Sequence, residues 1–162
     1  MADLTNLETK LGEVIGLAMA AQAATERVEK LTKDASLRKQ LQTMRQEAAK
    51  AEKDGTAVAA SMDGKKGKIL TEARSVRTKG ASMMKTYLDR DSDELDGLEF
   101  LTMAEAGEVG HWSVLQELNK QARHPGVRDL VKVQLPIQKR HLKDVMAASV
   151  TLAAKEDANA PA

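Results

Sequence analysis

The sequence predicts an all-α protein, on three observations. Ala, Leu, Met, Lys, Glu and Gln are abundant, and these residues have the highest helix propensities. Aromatic residues make up 2% of the chain and Pro occurs three times, and no stretch shows the β-branched alternation of a strand. Apolar residues instead recur at helical spacing in five stretches separated by turn signals. The length of 162 residues, with 42% hydrophobic and 30% charged, suits one domain with its own core.

The first helix is expected over about 3–32. Leu4, Leu7, Leu11, Val14, Ile15, Ala18, Ala21, Thr25 and Val28 form its inner stripe, and Asp3 or Thr5 can cap it. After a break at 32–35, a second helix spans about 35–60, with Leu37, Leu41, Met44, Ala48, Ala51 and Val58 inward and Gly55 weakening its end. The stretch 62–68 (Asp63, Gly64, Lys65, Lys66, Gly67) reads as a flexible basic loop. A third helix, about 68–89, has a less regular stripe. The acidic run 89–96 supplies a linker and a negatively charged start for the fourth helix, which continues to about Arg123. His124-Pro125-Gly126 is a tight turn of the kind that joins antiparallel helices. The fifth helix covers about 126–155, and residues 157–162 form a disordered tail after a single domain at 1–156. Two helix hairpins joined by a shorter crossover helix make a four-helix bundle with one addition.

The absence of Cys removes disulfides, thiolate nucleophiles and Cys-held metal together, so any metal must have O and N ligands. A net charge of +1 argues against broad electrostatic capture of nucleic acid. The start, Met-Ala-Asp-Leu, shows neither the basic nor the apolar region of a signal peptide. The longest apolar run of the first helix is too short to span a bilayer. A cytoplasmic protein with no membrane contact is the expectation, with a homo-oligomer, first of all a dimer, as its assembly.

Two carboxylates break this pattern. Glu105 and Glu108 fall inside the apolar stripe Leu95, Leu98, Leu101, Trp112 and Leu115 at about 100° per residue. On the fifth helix Gln134, Gln138 and His141 share a face with Val127, Leu130, Val131, Leu142 and Val145. Burying such groups costs several kcal/mol, roughly, unless they are paired, protonated, hydrogen-bonded or bound to metal. Glu105/Glu108 and Gln138/His141 are both i, i+3 pairs, so each projects from one helix face. Glu108-Val109-Gly110-His111 is itself a Glu-x-x-His string, with His111 toward the stripe's edge. Pro136 removes one intrahelical hydrogen bond, and a kink is expected there.

The segment Ala104-Glu105-Ala106-Gly107-Glu108-Val109-Gly110-His111-Trp112-Ser113-Val114-Leu115 resembles the penultimate helix of small bacterial ferritin-like proteins of the YciF type. Ile137-Gln138-Lys139-Arg140-His141 resembles that family's last-helix Glu-x-x-His, and the Gly64–Lys68 loop its linking segment. The resemblance covers most of the chain by helix order and is specific over about 100–142. It implies a ferritin-like bundle with a di-iron or di-manganese site. The departures are informative. Gln138 stands where the family has Glu, and no His precedes His111. Gln22 occupies the mid-bundle position of the first helix while Glu13 points away, and Met44 stands where a His is expected. The hard ligands left are Glu105, Glu108, His141 and Glu47. They suffice for one iron or manganese ion and fall short for two. The bland alternative is a metal-free buried network, one carboxyl protonated beside the other, hydrogen-bonded to Gln22, Gln134, Gln138 and His141, with His111 at its edge.

Two functional expectations follow. One is a stress- or metal-related ferritin-like protein with a degenerate site. The other is a non-catalytic helical interaction or structural protein that keeps a polar core for specificity. No Ser/His/Asp arrangement or Gly-rich phosphate loop supports a hydrolytic or nucleotide-dependent enzyme.

Overall fold

The computed structural model describes residues 3–161 and comprises five helices: α1 Asn6–Leu31, α2 Ala35–Ala60, α3 Lys66–Tyr87, α4 Glu94–Ala122 and α5 Pro125–Ala153. No strand occurs among the described residues. None of these helices is long and apolar enough to cross a membrane.

Local chemistry sets the helix ends. Thr5 and Glu8 form a capping box at α1: Glu8 N donates to Thr5 Oγ1 at 3.2 Å, and Thr5 N donates to Glu8 Oε2 at 2.7 Å. Asp34 caps α2 by accepting from Leu37 N at 2.7 Å. Asp93 and Asp96 form a second box at α4. The α4–α5 turn is closed by a buried Asn119, which donates to His124 O at 3.1 Å and accepts from His124 N at 3.0 Å. Arg123 ends α4 in the left-handed region at φ 53°, His124 caps α5, and Pro125 takes the first helical position, where its missing N–H is not needed.

α1 is the central helix. It packs against α2, α3 and α4; α4 packs on α5, and α2 meets α5 more lightly. The contacts α1–α2–α5–α4 therefore close into a ring, and α3 lies on the outer side of α1, scarcely touching α4. The seat for α3 is a row of small residues. A Cβ at Gly12 would lie 2.8 Å from the Ile69 carbonyl oxygen, one at Gly16 would collide with the Ala73 carbonyl and Val76, and one at Gly80 would lie 2.7 Å from Ala20 Cβ. The two backbones approach this closely only because those positions carry no side chain.

α2 runs unbroken through Gly55 to Ala60, and Gly55 is buried against Ile15, whose Cγ1 would lie 2.7 Å from an added Cβ. α5 is one helix from Pro125 to Ala153, with Pro136 on its solvent side. The basic loop is tied back to α1: Lys65 Nζ donates to Asp3 O at 2.7 Å and faces Glu8 at 3.8 Å. Residues 157–161 are exposed and irregular, and Ala162 of the expected tail lies outside the described residues.

The core is divided. One apolar cluster gathers Leu11, Val14, Ile15, Ala18, Ala51, Trp112, Leu115, Leu130 and Leu135, among others. A second gathers Ala24, Val28, Leu41, Met44, Leu98, Leu101 and Val145. Between these clusters every bundle helix carries polar residues: Gln22 on α1, Glu47 on α2, Glu105 and Glu108 on α4, Gln138 and His141 on α5.

Candidate functional site: a polar layer between two apolar clusters

α4 and α5 run antiparallel, so residues that fall at one level form rungs. Glu105 faces His141, Glu108 faces Gln138, and Trp112 falls level with Gln134. All six side chains are buried, with relative exposures of 3% or less. The stripe positions supply the burial, and antiparallel register supplies the pairing.

Partners link these groups into one chain. With its nitrogen turned inward, the Gln138 amide donates to Glu105 Oε2 at 3.1 Å and to Glu108 Oε2 at 3.2 Å. His141 Nδ1 faces Glu105 Oε2 at 3.5 Å, and His141 Nε2 meets Glu47 Oε2 at 2.5 Å. Arg140 Nη2 donates to both Glu47 oxygens at 2.5 Å. The order is thus Arg140, Glu47, His141, Glu105, Gln138, Glu108. It begins at a solvent-exposed cleft lined by Gln40, Thr43, Glu47, Arg140 and Asp144. It ends at a groove on the far side, walled by α1, α3 and α4, into which Glu105 and Glu108 reach.

Electrostatics assigns the protons. Burial pushes the Glu108 carboxyl well above the usual carboxylate range, and the neighbouring Glu105 charge adds to this. For His141, burial works downward, but hydrogen bonding and charge from Glu105 and then Glu47 outweigh it, so the imidazole pKa is raised. For Glu47, burial works upward and is outweighed by Arg140 and His141, which hold its carboxyl below the usual range. The layer reads as the ion pair Arg140–Glu47, then His141 against Glu105, and last a Glu108 that holds its proton well above the usual carboxylate range.

Among the sequence-predicted residues, Glu105, Glu108, Gln138, His141 and Glu47 come together. Three others do not join them. Gln22 turns toward α2 and donates to Glu52 Oε2 at 2.5 Å, because its azimuth on α1 points along the α1–α2 seam. Gln134 is fully buried, yet neither its oxygen nor its nitrogen has a partner, and Trp112 Nε1 is unpartnered as well. His111 turns outward to α1, where its Nδ1 lies 3.0 Å from Glu13 Oε2 and 3.3 Å from Lys10 Nζ. Glu13, expected to point away, is therefore half-buried in an ion-paired trio with Lys10 and His111. Burial raises its pKa, but Lys10 and then His111 outweigh this and keep the carboxyl below its ordinary range. A charged residue three positions after another on α1 was the only sequence signal for that trio.

Both His141 nitrogens face carboxylates, Glu47 is held by a guanidinium, and the amide of Gln138 occupies the space between Glu105 and Glu108. Among the described residues no three His, Asp or Glu side chains converge to hold a metal ion. A cation in the layer would compete with Arg140 and with the His141 protons, so the arrangement does not fit the expected iron or manganese site. No family model, curated protein or solved structure matches the chain.

Proposed function

We propose that this chain is a non-catalytic helical interaction or structural protein whose polar layer determines which helix faces meet and in what register. The observation that carries this reading is the continuous pairing from Arg140 through Glu47, His141, Glu105 and Gln138 to Glu108. Each group pairs with at least one other side chain of the layer, and α2, α4 and α5 all contribute. Sliding one helix by a turn would strand a buried carboxylate or imidazole, at a cost of about 3–5 kcal/mol for a broken buried pair. Two apolar clusters alone would tolerate such slippage far better. A polar layer between them favours one register.

The ring of helix contacts, the outlying third helix and the carboxylates facing an imidazole also support kinship with ferritin-like four-helix bundles. In this reading the chain keeps the architecture of such a bundle, and its site has become an internal hydrogen-bonded network. A homodimer is the assembly we propose, to be read by sedimentation equilibrium.

Titration with Fe(II) and Mn(II), followed by metal analysis and thermal melting, tests the assignment. The expected result is no stoichiometric uptake and no change in melting temperature. Near-stoichiometric binding that Glu108→Ala and His141→Ala each abolish would overturn it in favour of a mononuclear metal protein.

A further inference from the structure

The groove at the inner end of the polar layer has features the layer itself does not explain. It encloses about 300 Å³ between α1, α3 and α4. Ligand pockets begin at roughly this size, and a cavity of about 150 Å³ holds benzene. The walls are made of small residues on all three helices: Ala20 and Ala24, Gly80 and Ala81, Ala104 and Gly107. Small residues normally let helices close together, as they do where Gly12 and Gly16 receive α3. Here too α1 and α3 close together, Gly80 against Ala20, but α4 stands apart from α3, which barely touches it.

Gly107 sharpens the point. A glycine inside a helix costs about 1 kcal/mol relative to alanine, and contact does not require one here, since a Cβ at Gly107 would meet nothing within 4 Å. Its effect is to widen the groove. Met83 and Met103 border the opening with 47% and 38% of their surface exposed.

The floor is charged in one sense. Glu105 and Glu108 both reach it. Of the three carboxylates in the layer, Glu47 has Arg140 and Glu105 has His141. Glu108 has only the Gln138 amide, and among the described residues no Lys, Arg or His nitrogen pairs with it. The basic side chains that line the groove are Arg77 of α3, which is solvent-exposed, and His111 of α4, which is turned to Glu13. The groove therefore offers apolar walls and one buried carboxyl lacking a counter-ion.

We propose that this groove binds a small organic ammonium ion with an apolar body, the ammonium seated against the Glu108 carboxylate and the body against the Ala, Gly and Met walls. Binding replaces the Glu108 proton with the ammonium charge: the O–H bond breaks, the proton leaves to solvent, and an ion pair forms in its place. A neutral ligand of the same shape gains only the wall contacts, and an anion is repelled by Glu105.

Isothermal titration calorimetry at pH 7 with hexylammonium, 1-hexanol and hexanoate tests this. Hexylammonium is expected to saturate one site with net proton release, measured by repeating the titration in buffers of different ionisation enthalpy. Hexanol is expected at least tenfold weaker and hexanoate without saturable binding. Glu108→Gln is expected to weaken hexylammonium at least tenfold while retaining the helical spectrum and cooperative melting. Gly107→Leu, at a position where an added Cβ meets nothing within 4 Å, is expected to abolish binding with Glu108 intact. The proposal is overturned by no saturable hexylammonium binding, by equal affinity for the alcohol, or by unchanged binding in either variant. It is equally overturned if the groove is closed by a second copy, seen as a dimer that ignores the amine and dissociates on Gly107→Leu. None of these outcomes bears on the polar-layer reading, which metal uptake and the pH dependence of stability test separately.

Discussion

Replacing Glu108 by Gln should remove a specific slope from the protein's pH–stability curve. In the native state burial, then the Glu105 charge, raise the Glu108 pKa, while the unfolded chain titrates near the model value of 4.5. A native group with a raised pKa contributes stability that is fully present below the unfolded value and is lost as pH rises through the folded one. Between the two, the native state holds one more proton than the unfolded state, so stability falls by about 1.4 kcal/mol per pH unit. His141 adds a slope of the same sign, but only above its model value of 6.5. The carboxyls with lowered values, Glu47, Glu13, Glu29 and Asp129, act below the ordinary carboxylate range and lose their contribution as pH falls. The window from 4.5 to 6.5 therefore isolates Glu108. Urea unfolding of the wild type and of Glu108→Gln at half-unit steps across this window reads the effect. The wild type should lose stability steadily, the variant should be nearly flat, and the His141 slope above 6.5 should persist in both. A flat wild-type curve, or an equal slope in the variant, would refute the assignment of a neutral buried Glu108.

Two further outcomes follow from the same packing. Gln134→Met removes a fully buried amide with no partner at similar volume, and should stabilise the protein by about 1–3 kcal/mol in urea unfolding; a loss of stability would mean the amide is paired. Gly16→Ala should destabilise by about 1–3 kcal/mol despite its better helix propensity, since its Cβ meets the Ala73 carbonyl and Val76, whereas Gly110→Ala, which meets nothing, should stabilise by up to about 1 kcal/mol. Changes of the same sign at both glycines would contradict the close α1–α3 seat.

Much of the architecture was legible before any tertiary contact. Asp34, Asp93 and the His124-Pro125-Gly126 turn mark helix ends through hydrogen bonds that reach only a few residues along the chain, so the boundaries of α2, α4 and α5 match expectation within two residues. The buried phase of Glu105, Glu108, Gln138 and His141 was readable from periodicity, because each lies within two turns of the apolar residues that define its stripe.

What failed was everything that depends on azimuth over a long helix. α1 packs on α2, α3 and α4, so one apolar stripe does not tell which of its remaining residues meet a partner. Glu13 and Gln22 were misjudged in this way, one paired with His111 and the other with Glu52. Propensity gave Gly55 only its local cost to α2, whereas its burial against Ile15 is set by another helix.

The sequence alone determined the all-α class, the order and ends of the helices, and the presence of buried charge on α4 and α5. Those properties follow from backbone hydrogen bonding and side-chain period within one segment. The tertiary structure decided how that charge is compensated: Glu47 reaching His141, Gln138 spanning both glutamates, and Glu108 left without a cation at the floor of a groove. Such pairings join groups far apart in the chain, and only the packing of α1, α2 and α3 around α4 and α5 brings them within reach.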